Sequence, residues 1–135
     1  FIIIIAIIAS FSYAYLNYVA NYKTAQKENA KFEMYKNEEI TGRELATLIN
    51  KAINNNEKNK IEKDNKGNYI DNNENSINID IKFLDDDVIY NMEKFYKSGI
   101  SNFIYYYGDI IFKCNEVEYH NSKKMKYMQF EQITQ

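Results

Sequence analysis

The sequence predicts an α+β protein: a long apolar N-terminal helix of about 35 residues running into a small domain with one or two further helices and an antiparallel sheet of three to five strands. Three observations carry that prediction. The first 22 residues, FIIIIAIIASFSYAYLNYVANY, hold no charged side chain before Lys23. Leu45, Leu48, Ile49, Ala52 and Ile53 recur at helical spacing. Ile77, Ile79, Ile81 and Phe83 alternate with Asn78, Asp80 and Lys82, the period of a half-buried strand.

The apolar run is too hydrophobic for water. As a helix it would be roughly 33 Å long, enough to cross the hydrocarbon core of a bilayer. No Pro or Gly interrupts the chain as far as Asn37, and Tyr22, Ala25, Phe32 and Tyr35 stay near helical spacing. The helix is therefore expected to continue past the membrane edge and lay one face on the domain. This divides the chain into an N-terminal helix over residues 1–36 and an extracellular α+β domain over 37–135.

Thr41 followed by Glu44 has the form of a capping box, and Ile40 is placed to staple onto Leu45. The helix that starts there is expected to end in Asn54-Asn55-Asn56. Ile61–Lys63 and Asn68–Ile70 flank Asp64-Asn65-Lys66-Gly67, a hairpin pattern in which Gly67 takes positive φ. Asp71–Ser76 reads as an exposed loop, and Asp85-Asp86-Asp87 ends the strand of alternating isoleucines. Tyr90–Lys97 reads as a helix closed by Gly99, and Ser101 as the cap of a short turn through Tyr107. Ile110–His120 and Met125–Ile133 form an antiparallel pair, with buried parity switching near Asn115, where a β-bulge is expected.

Composition narrows the function classes. The 135 residues carry a net charge of −2, which gives nucleic acid no bulk electrostatic footprint. The lone Cys114 excludes an internal disulfide. Cys114 and His120 are the only pair of soft ligands, and on one strand they would stand about 20 Å apart, too far to share a metal. Asp71–Ser76 imitates a calcium loop but has Ser76 where Gly is required and Lys82 where the bidentate Glu belongs. No phosphate loop, zinc helix or nucleophile elbow is present, so no enzyme and no cofactor is expected. Tyr105-Tyr106-Tyr107 is too dense for one buried face, so at least one of those rings is expected at the surface or a contact.

Phe1 and the run Ile2-Ile3-Ile4-Ile5-Ala6-Ile7-Ile8-Ala9 resemble the mature N-terminus of the type IV pilin and pseudopilin superfamily. In that family a basic leader is removed ahead of an apolar helix. The resemblance implies processing at Phe1, although a shortened chain would read the same way. It also implies a helical filament core of identical subunits, for which Phe1, Ile2, Ile5, Ala6, Ala9, Ser10, Ala14, Tyr15 and Tyr18 are the candidate self-assembly residues. Most bacterial members have Glu at the fifth position, where this chain has Ile5. The Phe1 ammonium would then rest on carbonyls or on Ser10 of a neighbour. ITGRELATLINKAINNNEKN resembles a segment of small membrane-anchored proteins of anaerobic Gram-positive bacteria, which implies no activity. The resulting expectation is a structural pilin subunit, membrane-inserted before assembly and then part of an extracellular filament at the cell surface. The alternative is a single-pass anchored extracytoplasmic binding domain of an envelope or secretion complex, whose Phe11, Tyr13, Tyr15, Tyr18 and Tyr22 would form an interfacial aromatic belt.

Overall fold

The computed structural model describes residues 29–134. Five strands, β1 (Glu39–Thr41), β2 (Asn78–Lys82), β3 (Ile89–Asn91), β4 (Ile111–Tyr119) and β5 (Met125–Gln132), form one sheet in the order β1-β4-β5-β2-β3. Among the described residues, besides the helical residues 29–33, three helices accompany it where one or two were expected: α1 (Gly42–Lys58), α2 (Met92–Lys97) and α3 (Ile100–Tyr107).

Strand alternation sorts the sheet into two faces. Ile40 pairs with Phe112, Cys114 with Phe130, Ile79 with Met128 and Ile81 with Phe130, and all of these side chains are buried. Helix α1 lays Leu45, Leu48, Ile49, Ala52 and Ile53 into the same core, while α2 and α3 bring Met92, Phe95 and Phe103. On the other face one row across four strands reads Lys82, Glu131, Lys113, Glu39, with charge alternating in sign. The Lys82 ammonium stands 3.4 Å from Glu131. Opposite charges at cross-strand positions make this face compatible with water.

Helix α1 begins as its sequence announces. Thr41 Oγ1 accepts from the Glu44 amide and the Glu44 carboxylate accepts from the Thr41 amide, closing the capping box. The next two amides, of Gly42 and Arg43, donate to the carbonyls of Ile110 and Gly108. That approach leaves no room for a side chain at Gly42, where a Cβ would sit 1.8 Å from the Tyr107 carbonyl oxygen. The helix does not end at Asn54-Asn55-Asn56. It runs to Lys58, because Asn56 is spent on tertiary structure. Its Nδ2 donates to Ile77 O at 2.8 Å and its Oδ1 accepts from Ile77 N at 3.0 Å, fully buried.

The sheet is mixed, which corrects the antiparallel expectation. β2 runs parallel to β5, and the other three pairings are antiparallel. One edge of β5 is occupied by its hairpin partner β4. α2 and α3, lying between β3 and β4, carry the chain back so that β5 meets β2 in the same direction. Alternation reports which face a residue takes; it does not report which strand lies beside it.

The continuous helix of about 35 residues is also corrected. Residues 29–33 are helical, residues 34–37 turn, and Asn37 adopts φ 61°. Phe32 enters the core and Ile40 pairs with Phe112. A straight helix would separate those two residues by about 12 Å along its axis, so the chain must turn between them. Among the described residues no helix is long and apolar enough to cross a membrane. The remainder of that expectation falls on residues 1–28, outside the described residues.

Smaller corrections follow the same logic. Residues 61–70 form a tight turn with a single bridge between Lys63 and Tyr69, not a hairpin of named strands. Gly67 does take positive φ, at 83°. Tyr90 belongs to β3, with Asn91 capping α2. Gly99, not Ser101, stands at the N-cap of α3. The bulge near Asn115 is present as a register shift between Cys114 and Glu116.

Removing the two Asn56 bonds strands the Ile77 amide and carbonyl in the core. Asn56→Ala is expected to lower the unfolding free energy by about 2–3 kcal/mol in urea denaturation. A loss below about 0.5 kcal/mol, the range of surface substitutions, would contradict this role.

Candidate binding site

One recess among the described residues is walled by rings. Phe83, just after β2, has its ring centre 4.7 Å from Tyr107, 5.7 Å from Phe95 and 6.0 Å from Tyr90, and Phe103 lies 5.1 Å from Phe95. These tilted and edge-on pairings suit the ring quadrupoles and fix the wall. Two cavities open on either side of Lys94, Phe95 and Tyr107. One, of about 410 Å³, reaches Phe83, Asp86, Tyr90 and Gln132; the other, of about 330 Å³, reaches Ser98, Asn102 and Tyr106. The Lys94 ammonium sits 3.9 Å from the Tyr90 ring centre. Tyr90 donates its hydroxyl to Asp86 at 3.1 Å, a bond that pushes the phenol up and keeps it protonated. The arrangement offers stacking surface and one cation, with one carboxylate and two amides at its rim that are already hydrogen-bonded within the domain, which is the chemistry of noncovalent binding.

Three other polar groupings lie outside this recess. His120 is buried, and its Nε2 donates to Ser76 O at 2.6 Å, which assigns the proton to that nitrogen. Its Nδ1 faces the Asp71 carboxylate at 3.8 Å. Asp71 is in turn held by Lys126 at 2.8 Å, and this hydrogen bond is the main reason its pKa lies below the ordinary carboxylate value. Asn72 Oδ1 accepts from the amides of Glu74, Asn75 and Ser76. The 71–76 loop is thus a turn pinned to the β4–β5 connection, with the side-chain oxygens of Asp71, Asn72 and Ser76 already committed.

On the open face of the sheet, Tyr127 donates to Asp80 at 2.9 Å and Asn91 Nδ2 approaches the same carboxylate at 3.3 Å. Burial raises both pKa values, and the Asp80 carboxylate adds to the shift of Tyr127. In α2, Glu93 is buried with Lys63 Nζ 3.6 Å away, and neither carboxylate oxygen has a hydrogen-bond partner among the described residues.

The residues singled out from the sequence fall as follows. Phe1, Ile2, Ile5, Ala6, Ala9, Ser10, Ala14, Tyr15 and Tyr18 lie outside the described residues. Cys114 is buried, donates to Glu116 O at 3.7 Å, and has its thiol pKa pushed up by burial, the opposite of an activated nucleophile. Asp86 is engaged by Val88 N and Tyr90. No group of three or more His, Cys, Asp or Glu that could hold a metal occurs among the described residues. Tyr105 and Tyr106 are exposed, at 82% and 68%, whereas Tyr107 turns into the aromatic wall. The cleft itself was not anticipated. Phe83, Tyr90, Phe95 and Tyr107 lie in one stretch of sequence but on four successive segments whose mutual packing leaves no local pattern, and the only available signal was their aromatic density.

Fold and cleft together define an α+β domain, helices packed on a mixed sheet, with a polar-rimmed aromatic recess. No protein-family model matches the chain, and neither do curated proteins or solved structures.

Asp80 gives a test with a defined sign. Its folded pKa is raised, mainly by burial, so the folded state holds the proton more tightly than the unfolded chain. Stability then falls as pH rises from the ordinary carboxylate value through the folded one, and stays lowered above it. Asp80→Asn is expected to raise the urea midpoint at pH 7, with the gain vanishing below about pH 3.5. A lower midpoint at pH 7 would mean that the bonds from Tyr127 and Asn91 outweigh the burial.

Proposed function

We propose that the protein is a non-enzymatic surface subunit, held at a membrane by the apolar run of residues 1–22, whose α+β domain acts by binding on the extracytoplasmic side. The observation that carries this reading is the aromatic recess around Lys94. It offers rings, one cation, one carboxylate and amides, with Tyr90 kept protonated and the Cys114 thiol pushed up, away from nucleophilic use. Support for the tether is the run itself, 22 residues with no charged side chain before Lys23. In this form the chain is a single-pass anchored domain of an envelope or secretion complex.

A second reading, the structural subunit of a type IV pilus-like filament, is favoured by the apolar run itself. Ala6, Ala9, Ser10 and Ala14 are small enough for close contact between identical segments, the kind of packing that drives association where lipid removes the hydrophobic term. Exposed Tyr105 and Tyr106 would then meet a neighbouring subunit.

Mechanical shearing of intact cells separates the two. The anchored domain stays with the membrane fraction as a species that detergent disperses. A filament subunit appears instead in the sheared material as high-mass assemblies, and Ala9→Leu or Ala14→Leu abolishes those assemblies while leaving membrane insertion intact. Recovery of the native protein as a free monomer in the soluble fraction would contradict both forms.

A further inference from the structure

Helix α1 carries a second pattern beside its apolar stripe. Lys51, Asn54, Asn55 and Lys58 stand at i, i+3, i+4 and i+7, one face of the last two turns. Lys31 comes over this face from the segment ahead of β1, with Phe32 beneath it in the core, and the six residues enclose a recess of about 170 Å³. None of the described lining residues is acidic. Lys58 also engages a further partner, so the argument rests on Lys31 and Lys51.

We propose that this recess binds a phosphate group, either as the headgroup of an anionic lipid or as a free phosphate monoester. Lysines that line one small recess gain from an anion placed within reach of their ammoniums. A tetrahedral phosphate presents several oxygens at once to point-charge donors of this kind, and Asn54 adds an amide at the rim. Helix α1 ends at this place, so its dipole holds lysines and repels anions, and any anion bound here depends on the side-chain ammoniums. That makes single lysine substitutions informative. Lys31 lies nine residues after Tyr22, the end of the apolar run, within roughly 30 Å of it even for an extended chain. The lipid source rests on the tethered reading given above; recognition of phosphate does not.

The test uses the full chain, isotope-labelled for amide NMR. In dilute detergent, glycerol 1-phosphate is titrated at constant ionic strength against a sodium chloride control. The amides of Lys51, Asn54 and Asn55 are expected to shift saturably, and Lys51→Gln and Lys31→Gln are each expected to weaken the apparent affinity at least fivefold. Lys113→Gln, on the open face of the sheet, removes the same net charge and is expected to leave it unchanged. In nanodiscs without added phosphate, replacing phosphatidylcholine by phosphatidylglycerol shifts the same amides if the headgroup is the occupant, and leaves them in place if a free phosphate is. Shifts that stay linear and match the chloride control, with no response to phosphatidylglycerol, would overturn the proposal, as would equal loss of affinity in all three variants. Failure of the chain to enter nanodiscs would count against the tether, while the detergent titration still decides the phosphate site.

Discussion

Asn56 is the residue on which the rest of the domain depends. A helix packed against a sheet leaves the first residue of a neighbouring strand without a ladder partner, and Ile77 is in that position just ahead of β2. The Asn56 amide satisfies both the Ile77 N–H and its carbonyl from the last turns of α1. The Asn56 carbonyl in turn accepts from Ile61 N, where the chain leaves the helix. One buried side chain therefore fixes where α1 ends, where β2 begins, and how far apart the two layers sit. An unpaired polar group there would cost more than most single core contacts return.

With that junction set, the apolar side of β2 faces α1, and β2 takes the free edge of β5. The parallel pairing in the middle of the sheet is possible because α2 and α3 lie between β3 and β4 and return the chain on the helical side. The same helices create the recess: α2 supplies Lys94 and Phe95, α3 supplies Phe103 and Tyr107, and Phe83 leaves the end of β2 to meet them. Among the described residues no named helix covers the opposite face, which carries the alternating Lys and Glu row. Burial and binding surface thus follow from one division of the sheet into a covered and an open side.

Much of this was legible in the sequence where the signal is local. The capping box at Thr41, the apolar stripe of α1, the alternating isoleucines of β2 and the parity switch at Asn115 each lie within a few residues and found their places. What failed was tertiary. Asn54-Asn55-Asn56 reads as a helix terminator by propensity, yet one of its members is fully buried because Ile77 needs a partner 21 residues away. The parallel pairing of β2 with β5 leaves no mark in either strand. Lys51, Asn54, Asn55 and Lys58 have helical spacing, but they read as a solvated face until Lys31 is seen to close over them. The candidate assembly residues, all between Phe1 and Tyr18, lie outside the described residues, so the strongest sequence signal and the described geometry concern different parts of the chain.

On the proposed reading the domain and the apolar run are separate devices, one that folds and binds and one that holds it in place. The most direct measurement is urea denaturation of the chain without residues 1–28, followed by both circular dichroism and tyrosine fluorescence. The account predicts a soluble monomer that unfolds in a single coincident transition, with a slope of about 1 kcal/mol/M or slightly more, as expected for roughly a hundred residues. A broad, non-coincident loss of signal, or an aggregated product, would mean that the apolar run completes the core, and the separation would be wrong.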